Sequence, residues 1–199
     1  TNAGDLKAAM RGHGLPSILK SSSLGYDGKG QVRIKLGDDM DAAFDSLATD
    51  DAILEELVDF AAEVSFLVAR DANGRVSHFP ASLNHHHNGI LAQSSAPAPL
   101  HDDIIAEGMD AVERIADALE LFGLLALEAF ATVDGKLLFN EIAPRPHNSF
   151  HWTIEGCATS QFAQLARLLA GMPFGATNIY GNWQMDNLLG EDMWKLPEL

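Results

Sequence analysis

The chain has 199 residues, 47% of them apolar, which suffices for one substantial core or two small lobes and excludes a disordered chain. A formal net charge of −15 argues against nucleic acid or an anionic membrane surface as a partner. Cys157 stands alone, so there is no disulfide framework and a reducing, cytoplasmic setting is expected, while no run of about 18 apolar residues marks a membrane span.

Helix-like sequence over residues 5–13, closed by Gly12 and Gly14, begins almost directly after Thr1, which points to a domain or fragment of a longer protein. Pro16 leads into a short strand, Ser17–Leu19, ending at Lys20. A glycine-bearing loop follows, and the alternation of Gln31–Leu36 predicts a returning strand. Asp38–Leu47 reads as a helix whose acidic first turn suits the helix dipole. Strands are expected over Ala52–Leu57 and Ala62–Arg70, with Asn73-Gly74 turning into another at Val76–Phe79. Ser82–Ser95 reads as a polar loop around one short apolar stretch, Gly89-Ile90-Leu91. Beyond Pro97 and Pro99, apolar residues from Ile104 to Phe122 keep close to a 3.6 period and predict a helix over Asp102–Phe122. A hairpin follows Gly123. A second helix covers Ser160–Leu169 and stops at Gly171, and the tail Asn178–Leu199 holds three aromatics but no complete element.

Several stretches carry chemistry. In the loop from Ser21 through Gly25, Tyr26, Asp27, Gly28, Lys29 and Gly30 to Gln31, glycines let the backbone approach an anion, and Lys20 and Lys29 add charge at either end. A Walker loop is excluded, because the GKS/T ending is missing and a strand follows; a phosphate cradle and a flexible hairpin loop both remain. Glu55-Glu56-Leu57-Val58-Asp59-Phe60 and Glu63 mark a strand junction that either reads an adenine and a ribose or is solvated surface. In Asn84-His85-His86-His87-Asn88 successive side chains alternate in direction, so three rings cannot reach one ion, and a single His could meet a nucleotide or substrate.

The hairpin is the sharpest signal. With Asp134 and Gly135 as the two central residues of its turn, Glu128 lies opposite Glu141. Two carboxylates side by side on apolar strands repel unless a proton or a cation sits between them. Asn140 adds a neutral oxygen, and hard oxygen ligands suit magnesium better than zinc. Just beyond, Arg145, His147, Asn148, Ser149 and His151 offer cationic and hydrogen-bonding groups to an anionic substrate, on a backbone stiffened by Pro144 and Pro146. Nothing marks Cys157 as a nucleophile, so it is read as packing.

Gly25-Tyr26-Asp27-Gly28-Lys29-Gly30-Gln31, together with Asn140–Ser149, His151-Trp152-Thr153 and Ser160-Gln161-Phe162, closely resembles the 5-(carboxyamino)imidazole ribonucleotide synthase family of ATP-grasp ligases, from about residue 10 to the end. The resemblance implies an α+β fold, in which two α+β lobes with antiparallel sheets clamp a nucleotide. It also implies a small lid lobe over 1–57, a large lobe with the metal site over 58–171, and the start of a truncated C-terminal domain over 172–199. It places the ATP phosphates on Lys20 and the 25–31 loop, the adenine on Glu55, Glu56, Leu57 and Val58, and the ribose on Glu63, with His86 as the nucleotide-contacting histidine. Glu128, Glu141 and Asn140 match the magnesium ligands, Asn140 and Glu141 thereby meeting ATP as well. Tyr26, Asp27, Arg145, His147, Asn148 and Ser149 fall where the family handles bicarbonate and aminoimidazole ribonucleotide, and Arg145 and Lys20 are the catalytic candidates.

The implied activity is the ATP-dependent carboxylation of 5-aminoimidazole ribonucleotide with bicarbonate, via carboxyphosphate, in de novo purine (IMP) biosynthesis. ATP and Mg2+ serve as cofactors, and the full-length enzyme is expected to be a homodimer; the fragment alone is expected to be impaired. Ser21-Ser22-Ser23 departs from the family's Thr-Arg-Arg or similar, removing its positive charge, and Phe150 stands where the family has glycine before His-Trp, a bulk that could crowd the substrate pocket. Two alternatives stay open: a different ATP-grasp carboxylase or ligase, and a non-catalytic, nucleotide-binding or purely structural relative, which these departures suggest.

Overall fold

The computed structural model describes residues 3–10, 12, 14–22, 30–188, 190 and 194. Two units divide the chain: Thr1–Asp59 with Asn88–Ile90, and Phe60–His87 with Leu91–Leu199.

The first unit runs α1 (Ala3–Ala9), β1 (Ser17–Ser21), β2 (Gln31–Ile34), α2 (Met40–Ser46) and β3 (Ala52–Glu56). β1 lies in the middle of a three-stranded antiparallel sheet, between β2 and β3. Period-two alternation turns Ser17 and Leu19 inward, and Leu19 packs with Leu6, Ile34, Ala43 and Leu47 into a small core. α2 starts at Asp39, whose carboxylate accepts from the Asp41 and Ala42 N–H groups.

The second unit is built on a seven-stranded sheet. Its strands are β4 (Ala62–Arg70), β5 (Val76–His78), β6 (Ser82–His87), β7 (Ile90–Ala96), β8 (Gly123–Ala131), β9 (Leu137–Ala143) and β10 (Trp183–Asp186). The order is β10-β7-β6-β4-β8-β9, with β5 pairing β4. β8 lies between two strands and is covered on both faces, which is why it reads as a nearly unbroken apolar run. One face packs on helix α3 (Asp102–Ala118): Val64, Phe66 and Val68 of β4 and Leu125, Leu127 and Ala129 of β8 meet Val112 and Ala116. Gly108 of α3 sits on the Phe66 ring, where a Cβ would lie 2.1 Å from a ring carbon. On the opposite face Leu67, Ala69, Leu124 and Ala126 pack against Phe150, at the end of a short 3-10 helix (Asn148–Phe150), Trp152, the N-cap of α4 (Thr153–Gly156), and Leu168 of α5 (Gln161–Leu169).

Three segments differ from the sequence reading. Residues 82–95, expected as a polar loop, form the β6–β7 hairpin: Asn88 and Gly89 both have positive φ (52° and 77°), as a two-residue I′ turn requires. The tail, expected to lack a complete element, supplies β10, which pairs antiparallel with β7. α3 closes earlier than expected, because Leu119 caps it and Glu120 turns left-handed (φ 47°). Phe150 is fully buried beside Trp152 in the core, so its bulk fills the interior rather than crowding a substrate pocket.

Candidate functional site

On the face away from α3 the sheet changes character along its strands. β4 pairs with β8 in the register Glu63↔Phe130, Ser65↔Glu128, Leu67↔Ala126 and Ala69↔Leu124. The Leu67 end is apolar core, and the Glu63 end is polar. There Glu63, Asn84, His86, Glu128, Phe130 and Asn140 line a cleft of about 10 Å³, room for one water-sized particle.

Glu128 does lie opposite Glu141, though the turn is not the two-residue one expected. Gly135 N–H donates to the Thr132 carbonyl at 3.0 Å, Thr132 N–H to the Lys136 carbonyl at 2.9 Å, and Gly135 is left-handed (φ 80°), which makes a three-residue loop. A bulge between Glu128 and Ala129 restores the pairing, with Asn140 as the extra residue on β9.

The electrostatics follow from burial. Glu128 is pushed up to about 7 by desolvation first and by the neighbouring Glu141 second. His86 Nδ1 lies against the Glu63 carboxylate; burial would lower its pKa, but Glu63, with Glu128 and Glu141 behind it, raises it. His147 is pushed down to about 4, by burial and then by the nearby Arg145, His151 and His86, so it is neutral at neutral pH. Its Nδ1 is 2.8 Å from Ser149 Oγ and 3.7 Å from Glu128 Oε1. His151 is also pushed down by burial, and its ring lies 5.6 Å from that of Phe162.

The loop that carries His147 is clamped by α5. Gln161 is fully buried; its Oε1 accepts from His147 N–H and its Nε2 donates to the His147 carbonyl, both at 2.8 Å. Gln161 N–H is in turn held by Thr153 Oγ1, which donates to the Phe150 carbonyl. Arg145 is exposed, with Nη1 on the Pro146 carbonyl, and Asn148 is half-buried. Ser149 is fully buried, with its hydroxyl 2.8 Å from the His147 ring.

In the first unit, Lys20 Nζ meets Glu55 Oε2 at 2.7 Å, and Lys20 pairs with Gln31 across β1 and β2. Gly30 is left-handed (φ 76°) and its carbonyl accepts from Ser21 N–H. Glu56 ends β3 exposed, and Leu57 and Val58 follow half-buried. Gly25, Tyr26, Asp27, Gly28 and Lys29 lie outside the described residues. Glu63, His86, Glu128, Asn140, Glu141, Arg145, His147, Asn148 and Ser149 belong to the second unit. Sequence reasoning assigned no part to Ser65 or to the Gln161 clamp. The alternation of β4, which puts Ser65 on the face of Glu63, was the available signal for the first.

Among the described residues no group of three or more His, Cys, Asp and Glu is disposed around a metal. Beside Glu63, Asn84 and His86, the cleft offers the oxygens of Glu128, of Glu141 opposite it, and of the Asn140 amide. These oxygens, and the repulsion that raises Glu128 despite the opposing pull of His86, fit a hard divalent cation such as magnesium.

The ATP-grasp domain profile matches residues 1–162. The N5-carboxyaminoimidazole ribonucleotide synthase of Bacillus subtilis is 46% identical over 194 residues, covering 98% of this chain and 51% of the relative. The Staphylococcus aureus N5-carboxyaminoimidazole synthetase, solved with ADP, superposes with a TM-score of 0.89 at 34% identity, covering 98% of this chain and 52% of that one. The Aspergillus clavatus N5-carboxyaminoimidazole synthase, solved with ADP and 5-aminoimidazole ribonucleotide, gives a TM-score of 0.89 at 26% identity, covering 99% and 53%. The chain thus spans about half the length of the curated relatives it matches.

Proposed function

Because the chain belongs to the ATP-grasp domain family, we propose that it forms the nucleotide- and cation-binding part of a ligase that carboxylates 5-aminoimidazole ribonucleotide with bicarbonate at the expense of ATP. The observation that carries this reading is the opposed Glu128–Glu141 pair beside Asn140 at the polar end of the sheet. The names of the relatives, to which the chain is 46% and 45% identical, supply the substrate class.

In this reading Glu128, Glu141 and Asn140 hold magnesium, which when bound neutralises charge on phosphoryl oxygens. Lys20 and the loop ending at Gly30 and Gln31 bind the phosphates, and Lys20 exchanges Glu55 for a phosphate oxygen. Glu55, Glu56, Leu57 and Val58 present backbone and side chain to the adenine, and Glu63 and His86 meet the ribose or phosphates as a charge-coupled pair. Arg145, as the exposed cation of the 140–149 loop, orients bicarbonate or the leaving anion. His147, held neutral by burial and clamped by Gln161, can accept a proton or hydrogen bond from the ribonucleotide amine. Asn148 supplies a neutral hydrogen-bonding group at the same loop, and Ser149 fixes the His147 ring. A buried, unpaired Cys157 suits a reducing, cytoplasmic setting.

Calorimetry with Mg-ATP on the parent chain and on Glu141→Gln tests the nucleotide half of the reading. Saturable binding that Glu141→Gln weakens at least tenfold is expected. Equal binding by both rejects the carboxylate pair as ligands. For the substrate, phosphate release by the full-length protein is expected to need both bicarbonate and the ribonucleotide; release driven equally by an unrelated amine rejects the assignment.

A further inference from the structure

Three buried polar side chains lead to Glu128 and have no part in the proposed function: Ser65, Asn84 and Ser94 are 0%, 3% and 0% exposed. They sit on β4, β6 and β7, so with Glu128 on β8 they occupy four strands that are neighbours in the sheet. Their contacts run in the same order. Ser94 Oγ donates to Asn84 Oδ1 at 2.9 Å, Asn84 Nδ2 donates to Ser65 Oγ at 2.6 Å, and Ser65 Oγ donates to Glu128 Oε1 at 3.4 Å.

The carboxylate sets the polarity of this chain. An ionised Glu128 only accepts, so the single Ser65 proton goes to it. Ser65 can then only accept from Asn84, whose amide must turn its NH2 to Ser65 and its oxygen to Ser94. One orientation satisfies every link. Apolar side chains could fill the same positions without desolvating three polar groups, as Leu67, Ala69 and Ala126 do farther along this face. Their polarity is therefore spent on aiming Glu128.

We propose that Ser65, Asn84 and Ser94 are positioning residues that hold the Glu128 carboxylate in place for a divalent cation and thereby set the affinity of the site for it. The proposal rests on Glu128 and Glu141 being cation ligands. Partners that orient a metal ligand typically change affinity by about 10–100-fold when removed.

The test titrates Mn2+ into the chain at fixed ADP, reading free Mn2+ by electron paramagnetic resonance, for the parent, Ser65→Ala, Ser65→Thr, Ser94→Ala and Glu141→Gln, with thermal melts of each. Ser65→Ala is expected to weaken Mn2+ about 10–100-fold, Ser65→Thr to recover most of that loss by restoring the hydroxyl, and Ser94→Ala to weaken it less. Parent-like Mn2+ affinity in Ser65→Ala overturns the proposal and leaves the carboxylate pair standing. A loss that Ser65→Thr does not relieve reduces Ser65 to packing and also overturns it. Should Ser65→Ala not fold, Ser94→Ala decides, and unchanged affinity there is fatal. If the parent binds no Mn2+ saturably while Glu141→Gln behaves the same, the ligand reading itself falls, and the relay with it.

Discussion

With Glu128 as a ligand of the proposed cation site, protons and a divalent cation compete for it, and the competition sets a pH dependence that can be worked out in advance. The Glu128 carboxyl is pushed from the usual 4.5 up to about 7 by burial and by Glu141 across the hairpin. A cation needs the ionised form, so its apparent affinity falls tenfold for each pH unit below 7 and is flat above it. Between pH 8 and pH 6 the site should weaken by about tenfold. His86, whose pKa is raised by Glu63, becomes more protonated over the same interval and acts in the same direction. The stability linkage has a definite sign. A carboxyl with a raised folded pKa contributes stability that is full below 4.5 and is lost as pH rises through 7, an effect of about 3 kcal/mol for this shift. Magnesium should therefore raise the melting temperature more at pH 8 than at pH 6. Thermal melts and Mn2+ titrations at pH 6, 7 and 8 measure both quantities. Equal cation affinity at pH 6 and pH 8 would refute a carboxyl strained by its partner, and Glu128→Gln should abolish the difference along with most of the binding.

Other predictions concern the scaffold under the site. Gln161→Leu leaves the buried His147 N–H and carbonyl unpaired, each worth about 1–3 kcal/mol, so denaturant unfolding should shift by at least about 2 kcal/mol; a smaller shift would mean water or a backbone rearrangement replaces the clamp. Gly108→Ala drives a methyl into the fully buried Phe66 ring and should destabilise by about 1–3 kcal/mol despite the better helix propensity of alanine, with Phe66→Leu recovering part of the loss in the double variant. Phe150→Ala should lower stability by about 3–5 kcal/mol in the same unfolding assay, whereas a pocket-facing side chain would be nearly neutral.

The elements that could be read from sequence are those whose pattern is settled locally. β4 occupies residues 62–70 as its apolar run predicts, and α3 follows its 3.6 period until Glu120 turns left-handed. The β6–β7 hairpin was hidden because its strands, SLNHHH and ILAQSSA, are polar where they line the cleft and form the Ser94–Asn84 contact. These polar positions remove the apolar alternation that announces a strand. Asn88-Gly89 marked the turn all the same. β10 is recognisable only through pairing, since four residues bearing Trp183 and Met185 become a strand when β7 offers an edge. Phe150 shows the same limit at a single residue: whether a bulky side chain crowds a pocket or fills a core depends on Leu67, Phe79 and Leu124, which are distant in sequence.

The carboxylate pair was legible, but for an incomplete reason. A two-residue turn on a regular hairpin pairs Glu128 with Glu141; the real turn has three loop residues and would by itself move the register by one. The bulge at Asn140 shifts it back, so the two departures cancel at the carboxylates. The bulge also does what a regular strand cannot. Successive residues of a strand point to opposite faces, so Asn140 and Glu141 could not both address Glu128 from an unbroken β9. With one extra residue the strand bends, Asn140 lines the cleft, and Glu141 still opposes Glu128 closely enough to raise its pKa. The irregularity that the sequence pattern conceals is the feature that brings Asn140 into the cleft while Glu141 stays opposite Glu128.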